Sequence, residues 1–171
     1  MSAVLELDAI AIRPMQDNDI ANVVDIESRA YDFPWSPTIF SDCLRVGYCC
    51  WVMDAGAGLA GYGIMSVAAE ESHILNVCIK PRTRCLGLAR NLMHHLLDTA
   101  KEHGAVIAYL EVRPSNAAAV TLYSELGFRH VGTRRDYYPA IGGREDAYVL
   151  STPLGAASEQ GERVEPLDRT R

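Results

Sequence analysis

The chain of 171 residues lacks most of the features that would settle its class at once. It has no run near the roughly 18–20 apolar residues that a membrane-spanning helix needs, so no membrane role is expected. It has no excess of positive charge: 16 Lys and Arg against 22 Asp and Glu leave a formal net charge of −6. A general nucleic-acid binder needs a basic face to meet phosphate, so direct nucleic-acid binding is not expected. The acidic balance suits a cationic substrate such as an amine, and equally suits plain solubility. The 5 cysteines are odd in number and without CxxC spacing. Cys43, Cys49, Cys50 and Cys78 stand among apolar residues, where reduced cysteine is a small hydrophobe. A reducing cytoplasm is expected, with no disulfide framework and no zinc site. His73, His94, His95, His103 and His130 have no metal-ligand spacing and read as solvated surface positions; no metal is expected. The stretch with Glu6 and Asp8 has no basic segment and does not read as a secretory signal.

What is present is an ordinary globular composition, 49% apolar and 22% charged, enough for one domain with a full core. Residues 1–154 read as that single domain. Residues 155–171 lack periodicity and aromatics and read as a disordered tail. The pattern runs as follows: a strand at Ala9–Arg13, a helix capped by Asp17 and reaching Ala30, and a second helix opened by Ser36 and Pro37. Cys49–Met53 and Leu59–Val67 flank the turn Asp54–Gly58 as a hairpin, and Ser72–Ile79 follows as a strand. A helix from Gly87 to His103 is closed by Gly104. Val106–Val112, nearly all apolar, reads as a central strand covered on both sides. A helix over Asn116–Leu126 precedes strands at Phe128–Tyr138 and Asp146–Leu150. This order predicts an α/β fold, a mixed sheet with helices on its faces.

Two segments carry chemistry. In LEVRPSNAAAVTLYSELGF, Leu110–Phe128, polar side chains interrupt an apolar pattern: Glu111 in a strand, Asn116 at a helix start, Tyr123 two turns on along the same face. Each has a plain alternative. Glu111 could pair with Arg113, Asn116 is an ordinary cap, and Tyr123 could be core with its hydroxyl at the surface. The second segment, VCIKPRTRCLGLARNLMHHLL, sets Arg82, Arg84 and Arg90 around a glycine at a helix start. Free N–H groups and the positive helix end favour an anion there. Neither GxxxxGK[ST] nor GxGxxG is present.

Taken together these residues resemble the GNAT superfamily of N-acetyltransferases. Arg84-x-x-Gly87-x-Ala89 is similar to its acetyl-coenzyme A motif, with Ala89 where glycine is commoner. LEVRPSNAAAVTLYSELGF, the following RRDYYPAIGGREDAYVL and Phe33-Pro34-Trp35-Ser36 resemble one branch, the bacterial RimI-type ribosomal-protein alanine N-acetyltransferases. The resemblance spans about Ile10 to Leu154. It implies a mostly antiparallel mixed sheet splayed between strands 4 and 5, with acetyl-CoA as cosubstrate entering the gap. It also implies roles: Val77, Cys78 and Ile79 for the pantetheine and acetyl carbonyl; Arg84, Cys85, Leu86, Gly87, Leu88, Ala89 and Arg90 for the pyrophosphate; Asn116 for the cofactor beyond the fifth strand. Glu111 would be the general base, and Tyr123 the general acid beside the cofactor. Tyr31, Phe33 and Trp35, with Tyr137 and Tyr138, are candidates to line a peptide groove, or simply to pack loops over the core. Asp136, Glu145 and Asp146 are candidates to attract an ammonium.

The implied reaction is transfer of acetyl to the N-terminal alanine of a small-subunit ribosomal protein, by direct attack in a ternary complex in the cytoplasm. Proton energetics suit it. An α-amine titrates near 7.7–8.0 and lysine near ~10.4, a gap of ~2.5 units or about 3.5 kcal/mol in favour of the α-amine. Rival readings are a broader N-terminal acetyltransferase, a small-molecule amine acetyltransferase on the same scaffold, and a non-catalytic acyl-CoA-binding module.

Overall fold

The computed structural model describes residues 9–155. The elements in chain order are β1 (Ala11–Pro14), α1 (Ile20–Ala30), α2 (Pro37–Arg45), β2 (Cys49–Asp54), β3 (Leu59–Ala68), β4 (Glu71–Ile79), α3 (Leu88–Glu102), β5 (Ile107–Val112), α4 (Ala117–Glu125), β6 (Arg129–Ala140) and β7 (Gly143–Pro153). The strands make one seven-stranded sheet in the order β1-β2-β3-β4-β5-β7-β6. Its pairs are antiparallel except β4 with β5, which are parallel across the α3 crossover. The expected mixed α/β sheet with helices on both faces is therefore what forms. Of the tail expected over 155–171, all but Gly155 lies outside the described residues.

Two apolar clusters hold the layers. Leu92, Met93, Leu96 and Ala100 of α3 pack on Met65, Ala108 and Leu110, and Cys49 joins this side. Val23 and Ile26 of α1 and Phe40 of α2 pack on the other face with Cys50, Tyr62, Ile64 and Cys78. Adjacent Cys49 and Cys50 thus point to opposite faces, as strand geometry requires. All five cysteines are free thiols. Gly63 is what lets α3 sit close: a Cβ there would come within 3.0 Å of the Leu96 side chain.

Several expectations change. Asp17 does not cap α1. It opens a short 3-10 turn that runs into α1, and the Asp19 side chain caps that turn rather than α1, accepting the Gln16 N–H at 2.8 Å and a two-pronged bond from Arg13. Arg13 holds the Asp19 carboxyl below the usual carboxylate range. β5 is covered fully on one face only. Ala108, Leu110 and Val112 are buried while Ile107, Tyr109 and Glu111 are half-buried. His95 departs from the other four histidines, which are exposed as expected: it is half-buried, its ring centroid 4.2 Å from that of Trp51.

Candidate active site

The sheet opens at a definite place. β4 and β5 pair from Glu71–Ile107 to Ile74–Leu110 and no further. Opposite β3 the register jumps there: Met65 faces Ile74 and Ile64 faces Asn76, leaving Leu75 as a bulge. A bulged residue bends its strand and increases the twist. β4 therefore leaves β5, while β5 continues to Val112 beside β7. The splay between strands 4 and 5 follows from one extra residue.

The segment Val77–Ile79 lines the β4 side of this gap. Two of its carbonyls already have side-chain partners: Val77 O accepts the Tyr31 hydroxyl at 3.2 Å, and Ile79 O accepts Arg84 Nε at 3.3 Å. Cys78 is buried, and its burial pushes the thiol up to about 11. Near neutral pH it is a thiol, so it is unsuited to a covalent acyl step, which needs the thiolate.

Across the gap stands α4. Its start is as read: Asn116 Oδ1 accepts the Ala119 N–H at 3.3 Å. Tyr123 packs its ring 5.9 Å from Phe128, and its hydroxyl is pushed up to about 12, by burial first and then by the Cys78 thiol. Gly127, at φ +92°, ends the helix in the left-handed region that glycine enters without penalty.

The loop before α3 fits a pyrophosphate on its own geometry. Gly87 caps the helix at φ +77°, with no side chain bonding the first turn. The first helical bond runs from Asn91 N to Gly87 O at 3.1 Å, so the N–H groups of Leu88, Ala89 and Arg90 precede the helical ladder. A Cβ on Gly87 would meet nothing within 4 Å, so the approach is open. Cys85 (φ +64°) and Gly87 are both left-handed, a backbone shape that turns successive amides toward one point. The commoner-glycine position Ala89 lies inside the helix and is unstrained. The strain sits at Cys85 instead, where a left-handed non-glycine residue costs about 1–2 kcal/mol. The arginines are partly committed: Arg84 reaches back to β4, and Arg90 pairs with Glu125 of α4, tying the two helices together.

Glu111 sits at the gap end of β5 with its side chain 25% exposed. Its ion-pair partner is not Arg113 but Arg134 of β6, Nε to Oε1 at 2.7 Å. Arg113 turns away, bonding Glu145 at 3.1 Å and stacking over Tyr138 at 4.4 Å. Tyr137 and Tyr138 lie 5.0 Å apart beside Glu111, whose carboxylate raises the Tyr137 hydroxyl above its ordinary value. Tyr138 is raised further, first by burial and then by Glu111. Tyr31 comes to the same gap from the far side. Phe33 is exposed, and the half-buried Trp35 ring packs against Phe40 of the α1–α2 cluster, centroids 5.4 Å apart. Tyr31, Tyr137 and Tyr138 thus converge on the gap, whereas the Trp35 ring does not.

Of the three carboxylates expected to draw in an ammonium, Glu145 and Asp146 accept backbone N–H groups, while the exposed Asp136 takes part through its backbone. Glu145 is held below its usual range by Ser115 and then Arg113, and its Oε1 accepts the Ser115 N–H at 2.9 Å. Asp146 accepts the Asp136 N–H at 2.9 Å. Glu145 fastens the β6–β7 hairpin to the β5–α4 turn, and Asp146 ties β7 to β6 within the hairpin. Arg134 was missed because its contact crosses β7, a strand pairing that no local pattern announces.

The model of the acetyltransferase (GNAT) family matches residues 20–128. The chain is 36% identical over 143 residues to the [ribosomal protein bS18]-alanine N-acetyltransferase of Escherichia coli K12, covering 84% of this chain and 97% of that one. It superposes on the crystal structure of the ribosomal-protein-S18-alanine N-acetyltransferase from Escherichia coli with a TM-score of 0.81 and 35% identity, over 88% of this chain and 97% of the other. The structure of yncA from Salmonella typhimurium with its cofactor acetyl-CoA shares the fold at 19% identity, with a TM-score of 0.73 over 90% of this chain and 99% of that one.

Proposed function

Since the chain belongs to the GNAT family of acetyltransferases, and is thereby an acyltransferase, we propose that it moves the acetyl group of acetyl-CoA to the α-amine of an N-terminal alanine on the small-subunit ribosomal protein bS18. The substrate follows the names of its relatives. The observation that carries the reading is the convergence on one gap. The end of β4 that has left β5, Glu111 at the end of β5 and Tyr123 on α4 flank the place where the two parallel strands part.

The cosubstrate, when bound, supplies an activated acetyl thioester. The loop Cys85–Arg90 offers first-turn N–H groups to its phosphates, with Arg84 preceding it, and Asn116 at the start of α4 contacts the cosubstrate as well. Val77, Cys78 and Ile79 supply the strand edge for its pantetheine. Glu111 takes one proton from the incoming ammonium, directly or through a water, and Arg134 balances its charge meanwhile. Tyr123, held protonated by burial, hands its proton to the departing sulfur. Tyr31, Tyr137 and Tyr138 flank the entering peptide, with Phe33 at the rim. Among the described residues no helix is long and apolar enough to cross a membrane, and a ribosomal-protein substrate puts the reaction in the cytoplasm.

Incubating the purified chain with acetyl-CoA and a peptide carrying the bS18 N-terminus should add one acetyl group, which tandem mass spectrometry places on the α-amine. Modification of internal lysines alone would overturn the assignment. Equal turnover on free small amines would favour the small-molecule reading.

A further inference from the structure

On the α1–α2 side of the sheet lies a carboxylate that the scheme above does not use. Glu27 is 2% exposed. Among the described residues no cation pairs with it; donors from three other parts of the chain converge on it instead. Oε1 accepts the Trp35 N–H at 2.9 Å. Oε2 accepts Asn76 Nδ2 at 3.2 Å and the Tyr62 hydroxyl. Both oxygens accept, and none of the three partners requires a proton from it. A buried carboxylate is costly unless it is fully bonded, and an apolar residue of similar volume often serves a fold as well or better. Folding alone therefore gives little reason for a carboxylate at this position.

The places its partners come from do give one. Trp35 closes the segment that carries Tyr31 and Phe33. Asn76 is the first β4 residue after the Leu75 bulge, where the strand departs from β5. Tyr31, just past the end of the helix that carries Glu27, completes the bracket by bonding Val77 O. One side chain thus fixes the offset between the aromatic segment and the opened end of β4. Small displacements of a bound reactant are expensive: about 1 Å can cost roughly 10²-fold in rate. We propose that Glu27 is a positioning residue that sets the acceptor groove against the opened strand, acting through Trp35 and Asn76 rather than on the reacting atoms. This rests on the assignment of Tyr31 and Phe33 to the acceptor and of Val77–Ile79 to the cosubstrate.

Glu27→Gln keeps the volume and turns one accepting oxygen into a donor, which must face either the Trp35 N–H or the Asn76 amide. The KM for an alanine-starting peptide should rise about tenfold, the scale of one lost bond to a charged acceptor. The acetyl-CoA Kd, measured separately by calorimetry, should move by less than about twofold. In the double variant Glu27→Gln with Asn76→Asp, the new amide faces a new acceptor, and the peptide KM should return to within about threefold of the parent. Asn76→Ala removes one tether at a half-buried position and should raise the peptide KM about threefold; it decides the matter if Glu27→Gln does not fold. A peptide KM unmoved in the folded single variants, whatever the melting temperature does, overturns the proposal, and so does a double variant no better than Glu27→Gln. A parent protein that acetylates no N-terminal peptide, seen in the same assay before any substitution, would instead overturn the functional reading beneath it.

Discussion

The helices α3 and α4 flank the same gap and are built on opposite terms. α3 runs for 15 residues and buries Leu88, Leu92, Met93, Leu96, Leu97, Thr99 and Ala100. α4 runs for 9 residues and buries none; Ala119, Val120, Tyr123 and Leu126 reach the core only partly. A short helix gains most of its stability from an apolar face packed on something, and α4 has little of that. It is held at its ends instead, by the Asn116 cap, the Arg90–Glu125 pair and the Gly127 exit. The difference separates two duties. α3 spends its apolar face on the fold, and its N-terminus is the part proposed to meet the cosubstrate. α4 contributes little to the core, and its Tyr123 is proposed to serve the gap.

That contrast can be broken most sharply at the gap itself. Replacing Glu111 by Gln, or Tyr123 by Phe, removes a proposed proton acceptor or donor while keeping shape. Either change should lower kcat by about 10²–10⁴, the usual span for a positioned acid or base. The melting temperature should hardly move, because neither side chain anchors a packed layer. Steady-state rates beside a calorimetric scan check both statements. A full loss of rate that tracks loss of fold would mean that α4 and the end of β5 are structural after all.

The opposite result is expected in α3. Leu96 is fully buried between β3 and the helix layer. Leu96→Ala should cost about 2–5 kcal/mol of stability, the range for a buried leucine truncated in a close-packed core. Turnover per folded molecule should stay near the parent value. Denaturant unfolding gives the first number, and rates corrected for the folded fraction give the second. A variant that keeps its stability but loses rate would erase the division between the helices.

Their legibility in the sequence differed for the same reason. α3 announced itself by apolar spacing and the closing Gly104, because a helix that builds a core must carry that pattern. α4 was legible at its ends, through Asn116 and Gly127, but its inner face carries no strong stripe, so Tyr123 gained a role only through resemblance. The element order needed nothing beyond periodicity and turn residues. The splay did not show, since a bulge at Leu75 is one residue in an otherwise regular strand, and the family likeness supplied it. Arg134, paired to Glu111 from two strands away, and the engagement of Glu145 by Arg113 and Ser115 depend on sheet order, which local patterns do not encode. At Cys85 the left-handed backbone is what distinguishes the residue, and a cysteine side chain gives no sign of it in the sequence.

The smallest expected effect is in pH, and it tests the α4 side of the contrast without any substitution. Tyr123 must be protonated to serve as an acid. Burial disfavours its charged form, so the hydroxyl is raised, up to about 12, and it keeps its proton throughout the range in which the protein is handled. An unburied tyrosine would titrate near 10 and switch the rate off above that pH. On the acidic side the substrate α-amine is the group that must lose a proton, at about 7.7–8.0. The rate with a saturating acetyl-CoA concentration should therefore rise roughly tenfold for each unit below that value and level off above it. It should then stay flat to about pH 10, with no alkaline limb from Tyr123. A limb centred near 9–10 that survives a check for unfolding would mean that Tyr123 is open to water. α4 would then present its hydroxyl to solvent rather than to the gap, and its sparse packing would be that of an ordinary surface helix.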